Sequence, residues 1–258
     1  MKAAVIYKKG EVPKYIDFPD PVVENKNHLL ISVKASAVKN LDKNIASGKH
    51  YSSDSKETAK AAGGDGVGLL EDGTRVYALG VTGMIAEKAI VDKHKMVKVP
   101  DGLDDAVAAA LPNAVAGSAM ALRFRANIQK GETVLINGAA GVTGKIAIQL
   151  AKHYGAARVI VTGRKEETLK SLLTLGADEY LVLTQSDEDF ITQIKEIHAN
   201  TPIDIIIDYL WGHSAELILK SLKGDGGFTH KTRYVSVGSM AGDTIHLSAE
   251  ILRSVDLK

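Results

Sequence analysis

The chain has 258 residues, 45% of them hydrophobic and 24% charged, enough apolar material for one large domain or two modest ones. Lys plus Arg number 32 against 31 for Asp plus Glu, a balance that gives no electrostatic reason to expect nucleic acid or an anionic membrane as a partner. Cysteine is absent, which rules out disulfides, thiolate zinc ligands, a thiol nucleophile and cysteine-ligated iron–sulfur clusters.

At the N-terminus only a short apolar stretch, Ala3 to Tyr7, precedes Lys8 and Lys9. That is too short for the apolar region of a secretory signal, so a cytoplasmic location is expected. Pro112 and Asn113 interrupt the most alanine-rich stretch, and no apolar run is expected to reach the roughly 18 residues that span a bilayer. No membrane partner is expected.

Up to Pro100 the texture is β-rich. Ala3–Tyr7, Leu29–Val38, Arg75–Leu79 and Met84–Val91 are rich in Val, Ile and Tyr and are separated by turn residues, which predicts an irregular, mostly antiparallel β domain. Ser47 to Asp72, with its run Gly63-Gly64-Asp65-Gly66-Val67-Gly68, sustains neither period and reads as loop, then strand. From Asp104 the alanines of Ala106–Ala110 and Ala114–Ala121 suit close-packed helices and mark a hinge. The expected domains are 1–115 and 116–258.

After Gly131 the pattern alternates strand and helix. Strands are expected at Thr133–Asn137, Arg158–Thr162, Glu179–Leu183, Ile203–Asp208 and Arg233–Val237, with helices between them. Continuous apolar strands in such alternation predict an α/β, doubly wound parallel sheet of Rossmann type.

The first strand of that half runs into Asn137-Gly138-Ala139-Ala140-Gly141-Val142-Thr143-Gly144 and then an amphipathic helix. Small residues let the backbone turn sharply and approach a diphosphate, while free N–H groups at the helix start stabilise its charge. The candidate contacts are Gly138, Ala140, Gly141, Val142, Thr143 and Gly144. Glycines at this spacing are by themselves a weak pattern that ordinary turns also produce, and the strand before and helix after favour the dinucleotide reading. A P-loop is the rival, since Lys145 follows Gly144, but the next residue is Ile146 and offers no hydroxyl to magnesium.

The second strand ends Thr162-Gly163-Arg164-Lys165, and Arg164 lies twenty residues beyond Gly144. NAD-preferring units carry an acid there, whereas a guanidinium suits a 2′-phosphate. Gly163, Arg164 and Lys165 therefore select NADP(H), the alternative being that both cations are the solvated start of the next helix. Later strand ends also meet the cofactor in such folds, which adds Tyr209, Val237, Gly238 and Ser239, with Gly238 expected to admit the nicotinamide half. Trp211 either walls the cofactor cleft or covers the sheet edge. The eight histidines form no H-x-x-x-H or comparable cluster, so no metal site is expected.

Met1-Lys2-Ala3-Ala4-Val5, Asp65-Gly66-Val67-Gly68, Gly73-Thr74-Arg75-Val76-Tyr77, Val99-Pro100-Asp101-Gly102, Leu111-Pro112-Asn113 and Gly131-Glu132-Thr133-Val134-Leu135 occur in that order. In combination, over essentially the whole chain, they resemble the landmarks of the medium-chain dehydrogenase/reductase superfamily, in its zinc-independent, quinone-oxidoreductase-like branch. The resemblance implies a GroES-like catalytic domain, a Rossmann domain, a cofactor held in the cleft between them and a homodimer. It also makes Thr143 a cofactor-contacting position, a helix cap being the alternative, and implies that a C-terminal return to the first domain is missing.

Zinc-dependent relatives use a cysteine with a histidine and a glutamate. Here Gly64-Asp65-Gly66 stands where the histidine and acid would be, so reduction of a quinone, enone or aldehyde is expected rather than zinc-assisted alcohol oxidation. Members of the branch show Asn and Asp at the cleft with two residues between them, but in Val38-Lys39-Asn40-Leu41-Asp42 a lysine takes the asparagine's place. The catalytic candidates in this domain are Lys39, Asn40 and Tyr51, with Lys39 or Tyr51 for proton delivery. The alternative function is an NADPH-binding redox sensor or structural protein without turnover. A short-chain dehydrogenase is disfavoured, because no tyrosine has lysine four residues on.

Overall fold

The structure is a computed structural model that describes residues 1–48, 58–223 and 229–258. Tyr51 lies outside the described residues. Two compact units divide the chain, Met1–Pro112 and Asn113–Lys258, so the division falls inside a helix.

The first unit comprises β1 (Lys2–Ile6), β2 (Lys14–Asp17), β3 (His28–Ala35), α1 (Asn40–Ala46), β4 (Lys60–Ala61), β5 (Asp65–Leu69), β6 (Arg75–Gly80) and β7 (Lys88–Lys98). Strands β3, β5, β6 and β7 close into an antiparallel barrel, and β2, β1 and β4 form a second small sheet. β3 shows why: Ile31, Val33 and Ala35 turn inward while Leu30, Ser32 and Lys34 are exposed, the period-two alternation of a half-buried strand. Closure leaves the barrel without free edges, around a core of Ile31, Val76, Ala78, Met84, Ala89 and Val91. The strand expected to reach Val38 stops at Ala35, after a register shift against β5, and Val38 is exposed.

Helix α2 (Asp105–Met120) continues into a wider π turn at Ala121–Arg125. The expected interruption at Pro112 and Asn113 does not occur. An internal proline removes one helical hydrogen bond and costs about 3 kcal/mol, and anchoring at both ends offsets this. Ala108 and Ala109 pack with Val67 and Val99, whereas Ala121 and Leu122 belong to the core of the second unit. Pro112 and Asn113 break the apolar run in the sequence but not the helix. Asp105–Arg125 is long and apolar enough to cross a membrane by length and composition, although its anchoring residues are buried in protein cores.

The second unit comprises β8 (Thr133–Asn137), α3 (Val142–His153), β9 (Arg158–Gly163), α4 (Glu166–Leu172), β10 (Glu179–Val182), α5 (Asp187–Asn200), β11 (Ile205–Asp208), α6 (Gly212–Ser221), β12 (Arg233–Ser236) and α7 (Ala249–Ser254). Its five strands run in the order β10-β9-β8-β11-β12, all parallel. Every residue of β8 and β11 is buried, as a sheet covered on both faces requires. Val134 and Ile136 pack with Ala147, Ile148 and Leu169 on one face. Leu135 and Ile206 pack with Phe190, Ile194 and Ile218 on the other. Each such side chain contributes roughly 1.5–3 kcal/mol. Strand order reverses between β8 and β11, which makes their carboxyl ends the topological switch point.

At the opposite end of β11, the half-buried His198 accepts a hydrogen bond at Nδ1 from the Ile203 N–H, at 3.1 Å. Burial, assisted by the neighbouring His230 and opposed by Asp204, pulls its pKa below the ordinary value of 6.5. The unfolded chain then takes up this proton at a higher pH than the fold does, so the fold loses stability as pH falls from about 6.5 and levels off below the folded pKa. Denaturant midpoints measured from pH 8 to 5 should fall more steeply for the wild type than for H198N; equal slopes would show that His198 carries no such linkage.

Candidate functional site

The candidate cofactor residues of the second unit lie at or just beyond the carboxyl ends of its strands. After β8, Gly138 adopts φ +87°, and a Cβ there would lie 2.6 Å from the Leu210 side chain. Gly144 sits so close beneath the turn that a Cβ would stand 2.4 Å from Ala139 Cα. Both glycines are therefore demanded by the protein itself. Gly141 is different: a Cβ built on it meets nothing within 4 Å.

Gly141 is also the N-cap of α3, with no side-chain cap and no acidic residue in the first turn. The first N–H groups of this helix thus have no capping side chain, the space beside Gly141 is open, and the positive end of the helix dipole lies at this turn. Ala140 and Val142 are exposed on the turn. Thr143 does not cap the helix; its carbonyl accepts a hydrogen bond from the Ser118 hydroxyl at 3.3 Å.

β9 ends beside this turn, a Cβ on Gly163 falling 3.7 Å from that of Ala140. Arg164 and Lys165 follow, both exposed, with Lys165 the N-cap of α4. Neither side chain makes a hydrogen bond or ion pair with any described residue. Most other cations near strand ends are engaged, as Arg158 is with Glu179 and Arg233 with Glu132.

The later strand ends carry more structural duty than expected. Tyr209 is buried in the core, its hydroxyl 2.7 Å from Ser118 Oγ, and burial pushes its pKa up. The close approach at Gly238 is to the Tyr209 carbonyl, which a Cβ would meet at 2.9 Å. Val237 lines a cavity of about 470 Å³ with Gly117, Met120, Ala121, Tyr234 and Ser236, to which the glycine turn does not contribute. Ser239 is exposed.

Sequence reasoning missed the buried polar network beneath these turns. Asp208, fully buried at the end of β11, accepts hydrogen bonds at Oδ1 from Asn137 Nδ2 at 2.8 Å, the Leu210 N–H at 2.8 Å and the Trp211 N–H at 3.0 Å. Its Oδ2 accepts from the Tyr234 hydroxyl at 2.6 Å. Burial and this carboxylate push the Tyr234 pKa far up. Trp211 stands at φ +56° with its ring edge-on to Tyr234 at 6.1 Å. The available signal was a single acid closing the run Ile205-Ile206-Ile207.

In the first unit, Lys39 is the N-cap of α1 and Asn40 is exposed at its start. The Lys39 ammonium pairs with the buried Asp65, lies 3.7 Å from Asp42 Oδ2 and donates to the Ala37 carbonyl at 2.7 Å. Asp42 also caps the helix, accepting from the Lys39 N–H at 2.8 Å and from the Gly64 N–H at 3.0 Å. The Tyr77 hydroxyl donates to Asp65, and burial together with that bond raises its pKa. K39A should leave Asp65 buried without its cation and lower stability by about 3–5 kcal/mol in a denaturant titration. A loss under about 1 kcal/mol would mean that water or rearrangement compensates the pair.

A closed antiparallel barrel unit followed in sequence by a parallel sheet with a glycine turn at its switch point is the two-part plan of the medium-chain dehydrogenase/reductases. A profile described as "Zinc-binding dehydrogenase" matches residues 142–257, all within the parallel-sheet unit. Human quinone oxidoreductase is 31% identical over 252 residues, covering 93% of this chain and 73% of that protein. The erythronolide synthase EryA2 of Saccharopolyspora erythraea is 30% identical over 235 residues, and there the match spans 87% of this chain but 6% of the relative. Among solved structures, the quinone oxidoreductase of Thermus thermophilus, described with its NADPH complex, superposes with a TM-score of 0.81 at 28% identity, covering all of this chain and 78% of that one. The chain belongs to the zinc-independent, quinone-oxidoreductase-like branch of the medium-chain dehydrogenases/reductases.

Proposed function

We propose that the protein binds NADPH and reduces a quinone or another conjugated carbonyl, such as an enone, without zinc, as a soluble protein of the cytoplasm. The observation that carries this reading is the uncapped start of α3 beside the open space at Gly141, with two cations at the next strand end whose side chains pair with no described residue. Two relatives named as quinone oxidoreductases, one described with NADPH, support it.

The residues fit a dinucleotide. The N–H groups of Val142, Thr143 and Gly144 would hold its diphosphate, and Gly138, Ala140 and Gly141 would let it approach. Arg164 and Lys165 would take the 2′-phosphate beside Gly163, a guanidinium doing so through paired, charge-assisted hydrogen bonds. Tyr209, Val237, Gly238 and Ser239 would border the nicotinamide half through backbone and small-residue surface, since the Tyr209 hydroxyl is already engaged. The bound cofactor supplies hydride, and the protein's part is to position it and exclude water. Lys39 is committed to two carboxylates and serves better as an anchor of the barrel's polar cluster than as a proton donor.

Calorimetry on the intact protein should show tighter binding of NADPH than of NADH. R164A should weaken NADPH by about 10- to 100-fold, the loss of a hydrogen bond to a charged group, and leave NADH nearly unchanged. No association with either nucleotide overturns the assignment. A quinone and enone panel followed at the nicotinamide absorbance band tests turnover; tight binding with no turnover would favour the redox-sensor reading.

A further inference from the structure

We infer that Asp208 is a positioning residue for the dinucleotide: one buried carboxylate holds, from beneath, both turns that flank the switch point. The inference rests on the NADPH reading above, because it is that ligand which would lie across the carboxyl ends of β8 and β11.

The argument is one of hydrogen-bond polarity. Asp208 is the one buried charged side chain among the described residues of the second unit, and it has no cation partner among them. An ionised carboxylate only accepts, so Asn137 must turn its NH2 toward Asp208, at 2.8 Å. The Asn137 carbonyl oxygen then points the other way and accepts the Thr162 hydroxyl proton at 2.7 Å. With its proton so directed, Thr162 Oγ1 is left as an acceptor, and the Gly138 N–H donates to it at 3.1 Å. Gly138 opens the glycine turn. On its other side the carboxylate takes the Leu210 and Trp211 N–H groups directly and holds the second turn, where Trp211 and Gly212 adopt φ +56° and +61°. The Tyr234 hydroxyl fills the remaining oxygen, and Asn137 Nδ2 also reaches Ser214 Oγ at 3.0 Å, at the start of α6.

Donation runs from β9 through β8 to Asp208 on β11, and Tyr234 on β12 donates to the same carboxylate from the other side, so every bond of the chain points toward Asp208. A neutral amide at position 208 can point its NH2 at Asn137 and reverse that order, whereas a carboxylate cannot. The charge therefore acts as a polarity lock, and the two turns move together because they share it.

The test separates this from simple support of the fold. T162V removes only the link between Asn137 and Gly138, and T162S retains the hydroxyl. T162V is expected to weaken NADPH about tenfold in calorimetry, with T162S close to wild type. Affinity for adenosine 2′,5′-bisphosphate, which reports the Arg164 side, should stay within about twofold in both. D208N should weaken NADPH as T162V does and also shift the emission of Trp211, the chain's single tryptophan, whereas T162V should leave that emission unchanged. If D208N does not fold, the T162V and T162S pair decides. Folded T162V binding NADPH as wild type does, whatever its melting temperature, overturns the inference. Wild-type protein that fails to bind NADPH overturns the underlying reading instead.

Discussion

A parallel sheet buried on both faces leaves a ligand nowhere to reach the strands except at their ends, and the second unit obeys that constraint throughout. Val134 and Ile136 are sealed by α3 and α4, and Leu135 and Ile206 by α5 and α6. The polar residues Asn137, Thr162 and Asp208 appear only where the strands finish. The strand order diverges between β8 and β11, so the helices that follow these two strands leave to opposite faces and a crevice opens above them. The candidate cofactor residues lie at this edge because the packing forbids them elsewhere.

Charge at this edge is divided by depth. On the surface side stand the positive end of α3 and the side chains of Arg164 and Lys165, which pair with no described residue; beneath them lies the buried Asp208, which has no cation partner among the described residues. A buried carboxylate is an expensive residue to keep, and four hydrogen bonds make it tolerable here by meeting both oxygens. Its partners are turn N–H groups and side-chain donors, not the first N–H groups of α3. The cations and the helix end are thus left for an anion from outside.

Much of this was legible in the residues. The alternation of apolar strands and amphipathic helices after Gly131 depends on local spacing, and all five expected strands of the second unit are present. The glycine turn was readable for the same reason, since strand, turn and helix are contiguous. What stayed hidden depends on partners far along the chain. Asp208 meets Asn137 across 71 positions and Tyr234 across 26, and no local period records that. Gly238 was legible as a close approach but not as an approach to Tyr209. Pro112 shows the converse failure, in which a sound local rule is overridden because burial at both ends of α2 outweighs one lost hydrogen bond. Strands β2 and β4 and helix α1 were too short, at four, two and seven residues, to show a period.

Lys39 illustrates how a departure from the pattern of relatives becomes intelligible only with its partners. Read alone, a lysine where the branch shows asparagine looks like a new catalytic group. In the fold, its ammonium lies against Asp42 and the buried Asp65, and Tyr77 donates to Asp65 from another strand. Two carboxylates that face one partly desolvated pocket need a nearby cation to offset their mutual repulsion, and the lysine supplies that cation as part of the chain. Asp42 in turn caps the helix that Lys39 begins and holds the Gly64 N–H at the entry to β5. Positions 39, 42, 65 and 77 therefore form one electrostatic unit, and a role ascribed to position 39 in an asparagine-bearing relative does not pass to this chain without the other three.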